Sequence, residues 1–336
     1  MELRVSAPRH AHDHLLVSIV VPAFNEADVL RDTWQRLNEV MTGTPFRTEI
    51  IFVNDGSTDA TEQILSEIHE QSRNVISIHL SRNFGKEYAL TAGLDFAGGD
   101  AVVMIDADLQ DPPELIPGML AEWQNGFDVV TMRRISREGE SLTKRFSAWF
   151  FYRLLNRISD VSIPPDTGDF RLLSRPAVDA VRDMPERVRY MKGIFAWIGF
   201  RQKEMTYERA SRAAGNTKLG YLRLLRLALD GITAFSTLPL RLASYVGFTA
   251  AIGAFLFGAW TVVKTLVFGD PVAGFPTIMA SMLFLGGIQL MAIGLLGEYL
   301  GRLFTESKQR PHYLVSSVMR HPRPDANPGP AARDRN

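Results

Sequence analysis

Two aspartates stand two residues apart directly after a short apolar run. Residues 101–105 predict a buried strand, and Asp106 and Asp108 follow it. Residues two apart in an extended chain point to the same side, so these carboxylates repel each other unless a cation lies between them. A divalent cation that is itself bound to a phosphate meets that need. A polar turn in which residues 111–113 cap the next helix is the alternative, and this stretch alone leaves both open.

Further apolar runs along the first half of the chain also end in polar clusters. The predicted strands are residues 17–22, 49–53, 75–80, 101–105 and 127–132. Predicted helices alternate with them, which implies an α/β fold with a mostly parallel sheet whose faces are covered. The clusters at the strand ends are Asn25/Glu26, Asn54/Asp55, Arg82/Lys86 and Asp106/Asp108. Ligands bind at the carboxyl ends of such strands, so four clusters at one edge favour a ligand site over a turn.

Composition excludes several classes of protein. The 336 residues carry 37 basic and 37 acidic side chains, so overall charge offers no case for a nucleic-acid partner. The absence of cysteine excludes a disulfide framework and a thiolate metal site. Residues 1–14 are polar and lack a signal-peptide pattern, and we expect them to form an N-terminal tail.

The last third of the chain contains two long apolar runs. Residues 242–263 and 275–297 carry no charged side chain, and each run is long enough to cross a bilayer. The short connector between them predicts a transmembrane hairpin; a buried hairpin of a soluble protein is the alternative. Basic residues flank both ends, which predicts that both flanks and both termini are cytoplasmic. These residues are Arg223, Arg226, Arg241, Arg302, Lys308 and Arg310.

Two other segments combine basic residues with apolar ones. Residues 141–159 alternate aromatic and basic side chains, which fits either a core helix with a charged face or a helix at a lipid headgroup surface. Residues 218–240 predict a second interfacial helix. Beyond residue 319, proline and arginine predict a disordered tail.

Three common motifs of nucleophilic and nucleotide-binding sites are absent from the sequence. The chain has no Gly-x-Ser-x-Gly nucleophile motif, no Gly-x-x-x-x-Gly-Lys-Ser/Thr loop and no Gly-x-Gly-x-x-Gly after the first strand. Acidic side chains at successive strand ends suit ribose and base groups, and an aspartate pair with a metal suits a diphosphate. The pattern predicts a nucleoside-diphosphate site opposite a membrane surface.

These residues carry a resemblance to a known family. Residues 21–26, 54–59, 82–86 and 106–108 resemble the inverting family 2 glycosyltransferases with the GT-A fold. Residues 166–172, 191–193 and 215–218 resemble its polyprenyl-phosphate branch, which includes dolichol-phosphate mannose synthase. Residues 297–302 and 306–311 are similar to the bacterial bactoprenol glucosyltransferases of the GtrB type. The resemblance spans about residues 17–315. One departure is Asn54, where many relatives carry a second aspartate.

The resemblance implies roles for individual residues. Pro22, Asn25, Glu26, Asp55, Lys86 and Asp106 would bind a UDP-sugar. Asp106, Asp108 and Gln110 would form the site of Mg²⁺ or Mn²⁺. Asp108, Asp169 and Arg171 would be catalytic, with Asp169 either a base or an orienting group. Arg209, Arg212 and Lys218 would bind the acceptor phosphate.

The resemblance also implies an activity and an architecture. We expect an inverting, membrane-bound transfer of a hexose, glucose as the best choice, from a UDP-sugar to undecaprenyl phosphate at the inner membrane. The predicted segments are residues 15–217 for the GT-A catalytic domain, 241–302 for the hairpin and 303–336 for a cytoplasmic tail. A homo-oligomer, a tetramer, is expected.

Three alternatives stay open at this point. The first is a processive polysaccharide synthase, although a Gln-x-x-Arg-Trp motif is absent from the chain. The second is a membrane-anchored protein that binds nucleotide sugars without catalysis. The third is transfer of another sugar, such as an amino-arabinose, to the same acceptor.

Overall fold

The computed structural model describes residues 15–134, 167–187, 189, 191–207, 238–268 and 274–321. Within these residues the chain forms one eight-stranded sheet. Its strands are β1 (Leu16–Ala23), β2 (Arg47–Asn54), β3 (Val75–Leu80), β4 (Ala101–Met104), β5 (Val129–Arg134), β6 (Thr167–Ser174), β7 (Gln202–Tyr207) and β8 (Val315–Met319).

Helices connect and cover the strands. They are α1 (Leu30–Thr42), α2 (Thr61–Gln71), α3 (Lys86–Phe96), α4 (Ile116–Gln124), α5 (Arg175–Arg182), α6 (Met191–Trp197), α7 (Leu238–Phe268) and α8 (Phe275–Ser307). A short 3₁₀ turn, Pro113–Leu115, precedes α4. The five strands predicted from apolar runs are confirmed, with small differences at their ends.

The sheet is mostly parallel, as predicted. Its strand order is β7-β5-β6-β4-β1-β2-β3-β8. Strands β1 to β4 run parallel with one another, and β7 is parallel to β5. Strand β6 lies antiparallel between β4 and β5, and β8 is antiparallel to β3 at the edge. The carboxyl ends of β1 to β5 and β7 therefore meet at one edge, which we call the site edge.

Apolar side chains on the two faces of the sheet make two cores. One face packs on α1, α2 and α4, where Phe52 and Trp123 are almost fully buried. The other face packs on α3, α5 and α6, with Ile51 and Leu90 at its centre. Burial on both faces explains why the central strands read as continuous apolar runs rather than as alternating patterns. The two cores hold the loops at the site edge in place.

The long C-terminal helices α7 and α8 have an exposed apolar surface. Among the described residues, Phe284–Ser307 is long and apolar enough to cross a membrane, and its most apolar part is not buried inside the fold. Tyr245–Phe257 in α7 is a shorter apolar stretch. Large unburied apolar surfaces mark contacts with a membrane or with other proteins. This finding agrees with a membrane-associated C-terminal region.

Residues after α8 return to the eight-stranded sheet, which the sequence analysis did not predict. Strand β8 pairs with β3, although more than two hundred residues separate them in the chain. The Tyr313 hydroxyl donates a hydrogen bond of 2.8 Å to Asp95 on α3. The rings of His321 and His69 stack with their centroids 4.0 Å apart. The segment that follows α8 is thus an edge of the fold.

Some predictions fall outside the described residues. These are the helix at 141–159, the interfacial helix at 218–240 apart from its last three residues, the N-terminal tail and, of the tail predicted beyond residue 319, all but residues 320 and 321. The acceptor-site candidates Arg209, Arg212 and Lys218 also lie there.

Candidate active site at the strand ends

The centre of the site is an ammonium group between two carboxylates. Lys86 Nζ lies 2.6 Å from Asp106 Oδ1 and 2.6 Å from Asp169 Oδ2. The second oxygen of Asp169 is buried and has no hydrogen-bond partner among the described residues. A buried carboxylate oxygen without a partner is costly, because it has lost its water. The site therefore has unused capacity to accept a donor or a cation.

Three separate elements bring these groups together. Lys86 is the first residue of α3, and Asp106 follows the end of β4. Strand β6 runs antiparallel to β4 with Arg171 opposite Met104, so continuing this register brings Asp169 beside Asp106. The sequence analysis predicted each residue for the site, and the structure brings all three into contact.

Asp55 joins the second strand end to the third. Its carboxylate accepts hydrogen bonds from the backbone N–H groups of Phe84 and Gly85, at 2.7 and 2.9 Å. Burial raises the pKa of Asp55, against the lowering effect of these two bonds. The loop that follows Asp55 approaches the loop after β3 so closely that Gly56, at φ +66°, lies against the backbone of Arg82 and Asn83. Asp55 is thus tied into the loop that begins α3.

Asn25 joins the first strand end to the second. Its side-chain oxygen accepts a hydrogen bond of 2.8 Å from the Thr58 N–H, and its own N–H donates to the Ser57 hydroxyl at 2.9 Å. Asn25 has a φ of +56°, a conformation that Asn tolerates better than most residues. Glu26 follows at the same edge, where its N–H donates to Thr61. Pro22 precedes Asn25 by three residues and lies near the end of β1.

The loop after β4 has a tight internal geometry. The N–H of Gln110 donates to Asp108 Oδ1 at 3.1 Å, and Leu109 between them has a φ of +54°. Gln110 itself is buried. The next residue, Asp111, is fully buried and accepts a hydrogen bond from the hydroxyl of Tyr207 at the end of β7. The acidic loop is therefore held from two sides.

Arg171 lies beneath the centre rather than in the open cleft. It is buried, its Nη2 donates to the Gly168 carbonyl at 2.8 Å, and its guanidinium lies 4.1 Å from the ring centre of Phe195. Its charge lowers the pKa of Asp169 through space, but the ion pair described above is with Lys86. This geometry favours a supporting role for Arg171.

Charge at the centre is unevenly distributed. Burial opposes the positive charge of Lys86, but Asp106 and Asp169 outweigh it and raise its pKa. Burial raises the pKa of Asp106, while Lys86 opposes that effect. For Asp169, burial is outweighed by Lys86 and Lys192, and its pKa falls to about 2. Asp169 is therefore an ionised group at neutral pH and a weak base in this state.

Glu87 is a member of the site that the sequence analysis missed. It follows Lys86 in the first turn of α3 and accepts a hydrogen bond of 3.4 Å from the Met191 N–H. Burial and the charge of Asp169 raise its pKa to about 7. Its position after Lys86 was the available signal, but a charged residue in a helix usually faces solvent.

The pH dependence of stability tests the burial of Glu87. Its pKa is about 7 in the folded chain against 4.5 as the unperturbed value, so the folded state binds this proton more tightly. Its stabilising contribution is present below pH 4.5 and is lost as the pH rises through about 7. We expect Glu87→Gln to flatten the fall in Tm across that interval, measured by thermal unfolding of the purified protein. Glu70→Gln is the control, because Glu70 is exposed on α2, and its fall in Tm with pH should match that of the unchanged chain. Equal slopes of Tm against pH in all three proteins would contradict the prediction.

The donor set fits a cation that binds mainly through substrate phosphates. No group of three or more His, Cys, Asp or Glu side chains arranged for a metal ion occurs in the part of the chain that the structure describes. Mg²⁺ commonly uses one or two protein carboxylates and completes its shell with phosphate oxygens and water. Asp106 and Asp108, with the unpartnered oxygen of Asp169 close by, offer that kind of hard oxygen ligand.

Comparisons with known proteins agree with this architecture. Residues 18–182 match the model of glycosyl transferase family 2, and residues 238–303 match that of the GtrB C-terminal hairpin. A bactoprenol glucosyl transferase of Shigella phage SfV is 47% identical over 301 residues, which covers 90% of this chain and 98% of the relative. An uncharacterized glycosyltransferase of Synechocystis is 47% identical over 90% of this chain and 95% of its own.

Solved structures with a similar chain trace are more distant. Glucosyl-3-phosphoglycerate synthase from Mycobacterium tuberculosis, crystallised with Mn²⁺, UDP-glucose and phosphoglyceric acid, is 21% identical. The match covers 66% of this chain and 79% of that one, with a TM-score of 0.46.

Proposed function

This chain belongs to glycosyl transferase family 2, and on that premise we propose that it transfers glucose from UDP-glucose to undecaprenyl phosphate at a membrane surface. The observation that carries the proposal is the cluster of Lys86, Asp106 and Asp169 at the site edge, with Asp108 two residues after Asp106 in the same loop. The 47% identity to a bactoprenol glucosyl transferase extends over 90% of this chain, and it supports the same acceptor and the same sugar.

The linked loops of the first three strand ends suit the nucleoside. Asn25, Glu26 and Asp55 present polar groups at adjacent strand ends, and the backbone of residues 84 and 85 is held by Asp55. We assign the uridine end of the donor to these loops, with Pro22 in their floor. The diphosphate then lies toward Lys86 and Asp106, where the strand ends continue.

Mg²⁺ or Mn²⁺ would bind together with the diphosphate of the donor. Asp106 and Asp108 would hold the cation, with Gln110 next to them. When bound, the cation offsets the negative charge that builds up on the departing UDP. The other residues of the site bind and orient: Lys86 supplies a positive charge, and the Asn and Asp side chains of the neighbouring loops fix the nucleoside.

The acceptor needs orientation more than activation. A phosphate monoester has a second pKa of about 6, so undecaprenyl phosphate is largely a dianion at neutral pH. Its oxygen attacks the anomeric carbon as the bond to UDP breaks, and the single displacement inverts the α-linked sugar to a β-linked product. Because the acceptor oxygen is already largely ionised, we propose that Asp169 orients the sugar instead of removing a proton. Arg209, Arg212 and Lys218 are proposed to bind the acceptor phosphate, since Arg pairs well with phosphate oxygens.

A hydrogen-bonded path joins the membrane helix to the site. Glu306, near the end of α8, accepts a 2.7 Å hydrogen bond from the Arg187 N–H. The Arg187 carbonyl accepts one of 3.0 Å from the hydroxyl of Tyr88, two residues after Lys86 in α3. The end of α8 thus lies at the same edge as the carboxylates. This proximity supports a site that faces the lipid headgroups.

We further propose a topology and an assembly. Helices α7 and α8 would both cross the inner membrane, with the catalytic domain and both termini in the cytoplasm. Residues 141–159 and 218–240 would lie at the headgroup surface. The basic flanks of the hairpin and its match to the GtrB hairpin support this arrangement. A tetramer is the proposed assembly.

Transfer to lipid is the direct test. The purified full-length protein is incubated with labelled UDP-glucose, undecaprenyl phosphate and Mg²⁺ or Mn²⁺, and lipid products are separated by thin-layer chromatography. We expect a labelled lipid that depends on the acceptor and disappears with a chelator. Parallel reactions with UDP-galactose and UDP-N-acetylglucosamine identify the sugar.

Three results would contradict parts of the proposal. The absence of labelled lipid with every one of these donors would count against a polyprenyl-phosphate acceptor. Label in a polymer that grows without added lipid phosphate would favour a processive synthase instead. An NMR coupling constant typical of an α-linked product would reject the single displacement.

A further inference from the structure

Lys86 occupies the position at which a cation would meet Asp106. Its ammonium lies 2.6 Å from Asp106 Oδ1, a distance typical of a short, charge-assisted hydrogen bond. A divalent cation bound to the same oxygen would be repelled by the ammonium at such short range. The two cations therefore compete for Asp106.

The side chain of Lys86 is more exposed than the side chains of the two carboxylates that it bridges. The side chain of Lys86 is 42% exposed, whereas those of Asp106 and Asp169 are 24% and 16% exposed. A long flexible side chain at the mouth of the site can withdraw without disturbing the core. The aspartates are attached to β4 and β6 in the middle of the sheet and stay in place.

Removing the ammonium would leave carboxylates facing one another. Burial and the charge of Asp169 raise the pKa of Asp106 and that of Glu87, which lies in the same neighbourhood. Lys86 therefore stabilises the site before the donor arrives. When a cation arrives bound to a nucleoside diphosphate, the phosphate oxygens carry negative charge. The released Lys86 ammonium can form an ion pair with those oxygens.

We propose that Lys86 is the resident counterion of the donor site: it restrains the binding of a bare divalent cation to Asp106 and is displaced when the cation arrives with a nucleoside diphosphate. This inference rests on the proposed function, because it requires a metal-dependent donor site. Its consequence is that cation and UDP bind cooperatively, with Lys86 as the group that couples them.

Mn²⁺ binding by the full-length purified protein tests this coupling. Affinity is measured by electron paramagnetic resonance or calorimetry, with and without UDP, so that no turnover is involved. In Lys86→Met we expect Mn²⁺ to bind at least about tenfold more tightly without UDP, and the enhancement by UDP to shrink by a similar factor. Lys86→Arg keeps the positive charge, so its Mn²⁺ affinity without UDP should stay close to that of the unchanged chain.

Lys192→Met is the matched control for general charge. Lys192 acts on Asp169 electrostatically from α6, and removing it changes the net charge by the same amount. We expect its effect on Mn²⁺ affinity to be several-fold smaller than that of Lys86→Met. An equal increase in the two variants would overturn displacement at Asp106 in favour of a general charge effect.

The remaining outcomes separate this inference from the proposed function. If the unchanged chain binds Mn²⁺ with UDP but Lys86→Met binds it no more tightly without UDP, the counterion role is overturned and the metal-dependent donor site stands. If neither protein binds Mn²⁺ under either condition, both proposals are overturned. Thermal unfolding of each variant in the same detergent verifies that the measurements compare folded proteins, and Lys86→Arg keeps the comparison available if the Met variant is unstable.

Discussion

Asp108→Asn is expected to lower the rate of glucosyl transfer by about a thousandfold, because the proposed cation would lose a charged ligand and hold the departing diphosphate less well. The substitution is conservative for the loop. The side-chain oxygen of Asn can still accept the hydrogen bond that Gln110 N–H donates to Asp108 Oδ1 at 3.1 Å. The turn around Leu109 should therefore persist, and the measurement is kcat with UDP-glucose and undecaprenyl phosphate alongside Tm.

A matched variant separates loss of the site from loss of charge. Glu70 is exposed near the end of α2, where the chain turns into β3 at the edge of the sheet opposite the acidic loop, so Glu70→Gln should keep transfer close to that of the unchanged chain. Transfer by Asp108→Asn within a few-fold of the unchanged chain would reject the proposed role of this carboxylate. A non-catalytic binding protein would lose no cellular function in the same variant.

Gly56→Ala is expected to destabilise the chain by about 3 kcal/mol, because the turn between β2 and α2 has no room for a Cβ atom. Gly56 has a φ of +66°, which an L-residue adopts only with strain. A Cβ atom would also lie 2.4 Å from the Arg82 carbonyl carbon and 2.5 Å from the Asn83 nitrogen. Backbone atoms cannot move aside as a side chain can.

The same substitution should weaken donor binding. Separating the two loops would pull Asp55 away from the N–H groups of Phe84 and Gly85, which are adjacent to Lys86. We expect a lower Tm together with a higher KM for UDP-glucose. Gly43→Ala is the control, since Gly43 has a φ of −78° and the nearest atom to its Cβ would be 3.5 Å away. Equal Tm values for the two variants would contradict the argument.

Much of the fold follows from local pattern. The alternation of apolar runs and helices up to β5 predicts a mostly parallel α/β sheet, and the structure confirms it. The signal is strong because strands that are buried on both faces consist mainly of apolar side chains. The positions of the four polar clusters also follow, since each ends a recognisable strand. The family motifs then identify the chain as a glycosyltransferase, in agreement with the comparisons.

Three strands escaped the sequence analysis for physical reasons. Strand β6 includes Gly168, Asp169 and Arg171, which are unusual in a central strand and serve the site. Strand β7 alternates exposed polar and less exposed residues at the edge of the sheet. Strand β8 pairs with a partner far away in the chain, and such a contact leaves no local pattern.

The residue types at the site were determined by the sequence alone: two aspartates after β4, a lysine at the start of α3 and an Asp-Phe-Arg run further on. Only the tertiary structure decided that Lys86 bridges Asp106 and Asp169, and that Glu87 is buried next to them. Contacts between residues from separate strands depend on the order and register of those strands. That order follows from the packing of the whole sheet, so the resting charge balance of this site could not be derived from any one motif.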